Sequence, residues 1–205
     1  MKGLFNPEKW KESLLATLPG EKAQQMMAPE FRGSFSHQED PIPAAVLILM
    51  YPHRGETRLV LMKRNAYDGP HSAQVSFPGG AWETGDESLQ YTAIRETREE
   101  LGITGEIRLL GKLTELHIPV SNFQVNPFVG WMVNRPRFRP DPSEVQYLIE
   151  ASIEELLDPM NQLSETIHRH GQSIVAPYYR VGLEKIWGAT AMMLCEFLQL
   201  AARMQ

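Results

Sequence analysis

Cysteine is nearly missing: the 205 residues contain one, Cys195. A single thiol closes no intramolecular disulfide and supplies no cysteine set for zinc. It lies in the apolar run Ala191-Met192-Met193-Leu194 and reads as a core residue of a cytosolic protein. Histidine does not make up the deficit, because His168 and His170 flank Arg169 without a cysteine or carboxylate cluster to complete a tetrahedral site. Long hydrophobic runs are missing too. The longest, Ala44 to Tyr51, falls far short of the roughly 20 residues that a bilayer requires. The N-terminus interrupts its apolar residues with Lys2, Glu8, Lys9, Lys11 and Glu12, unlike a secretory signal, so the expected location is cytoplasmic. Basic charge is in deficit: 20 Lys and Arg face 25 Asp and Glu, a net charge of -5 that gives no general attraction for nucleic acid or an anionic membrane. Ser76 and Ser121 lack the Gly-x-Ser-x-Gly turn of a serine hydrolase.

What is present is enough apolar residue, 42%, for one substantial core. Trp10, Leu14, Leu15 and Leu18 fall at helical spacing between Pro7 and Pro19-Gly20, which predicts an amphipathic helix, and a short helix follows near Glu21 to Met27. Strands are predicted at 44–51 and 58–63, joined through Arg54-Gly55-Glu56, and then at 74–77, 107–113, 124–133, 145–149 and 173–179. Helices are predicted at about 86–101 with Asp86 as N-cap and Gly102 as stop, from a Ser152/Glu155 capping box to Pro159, and at 188–204. Strands interleaved irregularly with a few helices argue for a mixed sheet in an α+β or layered α/β/α domain.

The chemistry concentrates in residues 77–103, where Phe-Pro-Gly-Gly precedes a helix bearing Glu96, Glu99 and Glu100. At about 100° per residue these carboxylates point within roughly 100° of one another, and like charges so placed need open solvent or a cation. Arg95, one turn before Glu99, can pin it. The run resembles the Nudix box, the signature of hydrolases that cleave a nucleoside diphosphate linked to another moiety. Glu87, Arg95, Glu96, Glu99, Glu100, Gly102 and Ile103 occupy matching places, whereas Thr97 replaces an aliphatic residue and Ala81 the first glycine.

The resemblance extends upstream. Lys63-Arg64 and Phe77 to Gly80 match in register the extra motif of the coenzyme A pyrophosphatase branch, and residues 119–129 and 186–191 are similar to further segments of it. Gly69 stands where that branch has Arg, and Ala73 where it has Gly. The resemblance implies a Nudix-type α/β/α sandwich with a mixed β-sheet over residues 41–205, preceded by an N-terminal helical extension, 1–40, packed on that domain. It implies Mg²⁺ or Mn²⁺ held by Glu96, Glu99 and Glu100 with a backbone carbonyl of Gly80 or Ala81, Arg95 as orienting residue and Glu87 as loop support. The general base is open among Glu99, Glu96 and Glu144, the last of which follows Pro140-Asp141-Pro142. Lys63, Arg64, His71 and Phe77 are the candidate substrate contacts.

The expected substrate is coenzyme A or a related species. The alternatives are an ADP-ribose, ADP-sugar or dinucleotide pyrophosphatase, favoured by Gly69 in place of Arg, and a nucleotide-sensing module without turnover, disfavoured by the intact glutamates. Expected partners are a small nucleotide, with no nucleic acid and no membrane; self-association into a homodimer stays open.

Overall fold

The computed structural model describes residues 6–30, 40–66, 68, 72–169 and 172–204. Helices α1 (Pro7–Leu15) and α2 (Glu21–Gln25) come first. Asn6 caps α1, its side chain accepting from the N–H groups of Glu8 and Lys9. The predicted helix ends three residues early because Ala16 is extended. The hairpin of β1 (Ile42–His53) and β2 (Glu56–Arg64) turns through Arg54 and Gly55, both at positive φ, a backbone twist that suits adjoining antiparallel strands. There follow β3 (Val75–Ser76), β4 (Gly79–Ala81), α3 (Leu89–Leu101), β5 (Arg108–Lys112), β6 (Leu116–Ile118), β7 (Phe123–Trp131), β8 (Val145–Ser152) and α4 (Ile153–Leu157). The chain closes with β9 (Gln162–Arg169), β10 (Gln172–Val181), β11 (Glu184–Trp187) and α5 (Gly188–Arg203).

Among the described residues, eight strands form a mixed sheet along the order β3-β2-β1-β7-β5, with β4 paired to β1, β6 to β7 and β8 to β2. The β1–β7 pairing is parallel and runs from Ile42↔Phe123 to Met50↔Trp131. Its neighbours are antiparallel. The apolar run of β1 is continuous because both faces are covered. Ala45, Leu47, Leu49 and Tyr51 pack with Ala93 and Leu101 of α3. Ala44, Ile48 and Met50 belong to the opposite cluster, with Leu194, Phe197 and Leu198 of α5 and Trp10 of α1. Trp10 stacks on Phe197 at 4.6 Å between ring centroids.

A buried carboxylate ties the N-terminal helices to this layer. Glu196 of α5 is fully buried and accepts from Gly20 N–H, Thr114 N–H, the Thr114 hydroxyl (2.7 Å) and the Gln24 amide (2.9 Å). A separate three-stranded sheet, β11-β10-β9, lies beside α5 and α4.

Candidate active site

The site begins where β3 and β4 diverge, one pairing with β2 and the other with β1. Two glycines allow the connection. Gly79 has φ +147°, and a Cβ there would come within 2.2 Å of the Ala45 carbonyl oxygen. A Cβ on Gly80 would come within 2.6 Å of the Glu96 carboxylate. The first glycine thus serves the backbone, and the second makes room for an acid.

Helix α3 starts at Leu89 with Ser88 as N-cap, whose hydroxyl accepts from Tyr91 N–H at 3.2 Å. Asp86, the cap expected from sequence, is engaged elsewhere. It is buried and receives Nε and Nη2 of Arg95, both at 2.9 Å, the Thr92 hydroxyl at 2.8 Å and Glu83 N–H at 3.2 Å. Hydrogen bonding from Arg95 holds its carboxyl well below the usual carboxylate range, against the cost of burial. The loop-bracing place expected of Glu87 therefore belongs to its neighbour, and Glu87 is exposed. Thr97, in the box's aliphatic position, is buried and donates its hydroxyl to Ala93 O at 2.7 Å, so the substitution leaves no unmet polar group.

The three helical glutamates separate instead of clustering. Glu99 is largely exposed and meets Arg95 at 3.0 Å. Glu96 also meets Arg95 at 3.0 Å, with its side chain mostly covered. Glu100 is buried, 1% exposed, with Gly79 N–H at 2.8 Å and Arg64 at 3.4 Å. Among the described residues, no three Asp, Glu, His or Cys side chains converge as a ready metal cage. Arg95 engages Glu96 and Glu99, and the Pro-Gly-Gly loop adjoins Glu96 and binds Glu100.

Electrostatics nevertheless couples the acids. Burial raises the Glu100 pKa to about 8; Gly79 N–H and Arg64 oppose this, and the charges of Glu96 and Glu144 add to it. Burial likewise raises Glu96, against Arg95, with Glu99 and Glu144 adding. Glu144 reaches this group through its loop: Asp141 N–H bonds to Glu100 O (3.0 Å) and Asn65 N–H to Glu144 O (3.0 Å). A cavity of about 490 Å³ lined by Arg64, Asn65, Ala66, Ser143, Glu144 and Gln146 opens there. Carboxylates gathered beside the Gly79–Gly80 loop, with neighbouring acids raising the pKa of Glu96 and Glu100, form an oxygen donor set suited to a hard divalent cation, so the residues fit the ion that the resemblance implies.

Arg64 stands at the centre of the site, but Lys63 does not. The pleat sends Lys63 to the other face, where it pairs with Glu184 at 2.8 Å; Glu184 also accepts from the Tyr147 hydroxyl at 2.6 Å. Phe77 is 1% exposed and belongs to the core behind the glycines. His71 and Gly69 lie outside the described residues. Asp86 is the functional candidate that sequence reasoning passed over; its one signal is an acid in a Gly-Asp-Glu turn nine residues before Arg95.

Residues 41–172 match the NUDIX domain. The chain is 36% identical over 164 residues to "Uncharacterized Nudix hydrolase NudL" of Pectobacterium atrosepticum, covering 78% of this chain and 83% of that protein. It is 32% identical over 193 residues to "Nudix hydrolase 22, chloroplastic" of Arabidopsis thaliana, covering 90% of this chain but 61% of the plant protein's length. In structure it is similar to a Nudix hydrolase from M. smegmatis, RenU, with TM-score 0.56, 13% identity and coverage of 80% and 88% of the two chains. It is similar also to a MutT protein from Methanosarcina mazei Go1, with TM-score 0.50, 19% identity and coverage of 82% and 99%. At such identities the structural likeness establishes the fold alone.

Proposed function

The chain belongs to the Nudix hydrolase family, and from that premise we propose that it cleaves the pyrophosphate linkage of coenzyme A or a related coenzyme A species. That it is a hydrolase of nucleoside diphosphate derivatives follows from the family; the coenzyme A specificity is the proposal. The observation that carries it is the junction of the two motifs. Arg64 and Gly79, both from the upstream segment resembling the coenzyme A pyrophosphatase branch, hold Glu100 of the box. That contact between the branch-like segment and the box glutamate supports the coenzyme A reading.

Glu96, Glu99 and Glu100, with the Gly80 carbonyl, would hold Mg²⁺ or Mn²⁺, which supplies charge neutralisation of the diphosphate and a more acidic water. Arg95, braced by Asp86, fixes Glu96 and Glu99. Glu144, exposed at the cavity edge, is the favoured base; Glu99 is the alternative within the box. The base takes a proton from water, the water oxygen attacks phosphorus, and the bridging P–O bond breaks with the second phosphate as leaving group.

A second reading, hydrolysis of ADP-ribose, an ADP-sugar or a dinucleotide, is favoured by Gly69, which removes a guanidinium suited to an extra phosphate. Kinetics with Mg²⁺ or Mn²⁺ on coenzyme A, dephospho-coenzyme A, ADP-ribose, NADH and diadenosine polyphosphates separate the two. The highest kcat/KM is expected for coenzyme A species. A higher value for ADP-ribose or a dinucleotide establishes the second reading, and binding without turnover of any of them would return the sensing module.

A further inference from the structure

Strand β8 is irregular where it borders the candidate site. It pairs with β2 at Lys63↔Tyr147 and Arg64↔Val145, which leaves Gln146 as an extra residue without a counterpart, a β-bulge. A bulge interrupts the side-chain alternation and re-aims the residue it carries. Here it brings Gln146, two residues after Glu144, into the wall of the cavity of about 490 Å³. Its amide supplies both donors and an acceptor.

The rest of that wall is polar and held in shape. Asn65 donates its backbone N–H to Glu144 O at 3.0 Å and its side-chain amide to Pro142 O at 2.9 Å, while Asp141 Oδ1 accepts from both the N–H and the hydroxyl of Ser143. Ala66 is the single apolar residue of the lining. A second cavity, of about 390 Å³, is of the opposite kind, lined largely by Ala44, Val46, Ile118, Val125 and Met193. The two share one residue, Arg64. A nucleoside carries ring nitrogens and ribose hydroxyls on every side, each needing a partner when it leaves water, so the polar cavity suits it better. The Arg64 guanidinium stands where the cavities meet, beside Glu100, and its charge favours a diphosphate joining two halves at that point.

We propose that the nucleoside half of the substrate occupies the cavity walled by Gln146, and that water attacks the phosphorus bearing that half. The inference rests on the diphosphatase reading above, with Glu144 as base, and fixes which bond breaks. Glu144 lines the same cavity as Gln146, so the water it deprotonates approaches the diphosphate from the nucleoside's side. Displacement at phosphorus is in line, which requires the leaving oxygen to point away from the entering one. The water oxygen therefore bonds to the nucleoside-bearing phosphorus, the bond from that phosphorus to the bridging oxygen breaks, and its electron pair leaves with the other phosphate toward the second cavity. The nucleoside phosphate gains the oxygen from water, and the other product keeps the bridging oxygen.

The test is hydrolysis of coenzyme A and of ADP-ribose, whichever turns over, in H₂¹⁸O with Mg²⁺ or Mn²⁺, followed by mass spectrometry of both products. The isotope is expected in the nucleoside phosphate, and not in phosphopantetheine or ribose 5-phosphate. Product inhibition tests the occupant: Gln146→Leu should raise the inhibition constant of AMP about fivefold or more and leave that of ribose 5-phosphate within about twofold of wild type, because the lost amide serves one half alone. A merely structural glutamine would shift both constants together or neither. Isotope in the non-nucleoside product overturns the proposal while leaving diphosphate hydrolysis standing. An AMP constant within about twofold of wild type overturns it too, and returns the nucleoside to the aliphatic cavity. No turnover of either substrate overturns the diphosphatase reading, and this inference with it. Should Gln146→Leu fail to fold, Gln146→Ala takes its place in the inhibition assay.

Discussion

Glu100 is the residue whose setting changes most between sequence and structure. The helical period places it beside Glu96 and Glu99, but the period says nothing about how closely a neighbouring loop approaches, and the Pro-Gly-Gly turn covers it. Its pKa rises from an ordinary 4.5 to about 8, so between those values the folded chain holds a proton that the unfolded chain has released. Stability of the metal-free protein should therefore fall as pH rises from about 5 to 8. Glu100→Gln should flatten that slope in thermal melts and, by removing several kcal/mol of metal-derived stabilisation, lower kcat by about a hundredfold or more. An unchanged slope, or wild-type turnover, would refute the assignment. Arg95→Lys keeps the charge but cannot form both contacts to Asp86. A kcat/KM reduced at least tenfold and a higher Mg²⁺ concentration for half-maximal rate are expected, and a metal titration checks both. Ala73 has φ +54°, a left-handed conformation costing a β-carbon about 1 kcal/mol, at a place where the similar branch has Gly. Ala73→Gly should raise stability by about that amount in urea unfolding. The glutamates and Arg95 were legible because the box's spacing is long and fixed. Asp86 was not, since two adjacent acids in a turn look alike until one of them turns inward.

At the scale of elements, legibility follows apolar density. β1 and β2 are read directly because their valine, isoleucine and leucine content leaves no other role, and α3 and α5 because their apolar residues recur at helical spacing. The strands β4, β6, β9 and β11 escape. Gly79–Ala81 has almost no side chain to pattern, and 116–118 is too short to show alternation. β9 owes its extended form to pairing with β10 over its whole length, a partner that local sequence does not announce. The layer formed by α1 and α2 depends on long-range bonds of the same kind. Glu196→Leu would leave the donors of Gly20, Thr114 and Gln24 without their acceptor. A loss of about 2–4 kcal/mol is expected in urea unfolding, since each buried unpaired group costs about 1–3 kcal/mol. A loss below 0.5 kcal/mol, roughly that of an ordinary surface substitution, would deny the carboxylate its clasping role.

For the whole molecule, the mixed sheet between α3 and α5 was expected from irregular interleaving of strands and helices, and the resemblance specified the Nudix arrangement. The satellite sheet was not foreseen, because one predicted strand, 173–179, gives no sign of two partners. Turnover should stop with EDTA and return with Mg²⁺ or Mn²⁺, while circular dichroism stays unchanged because the core clusters contain none of the box glutamates. The central place of β1 also has a kinetic consequence. Hydrogen-bonded to β7 on one side and to β2 and β4 on the other, with both faces buried, its amides exchange only when the whole domain opens. The satellite sheet has its own hydrogen bonds and is joined to the main sheet through Glu184, which meets Lys63 and Tyr147. In deuterium exchange, peptides from 44–51 and 125–130 should therefore be the last to gain mass, and peptides from 172–187 should gain it sooner and in a separate cooperative step that Lys63→Met accelerates, without hastening exchange in β1.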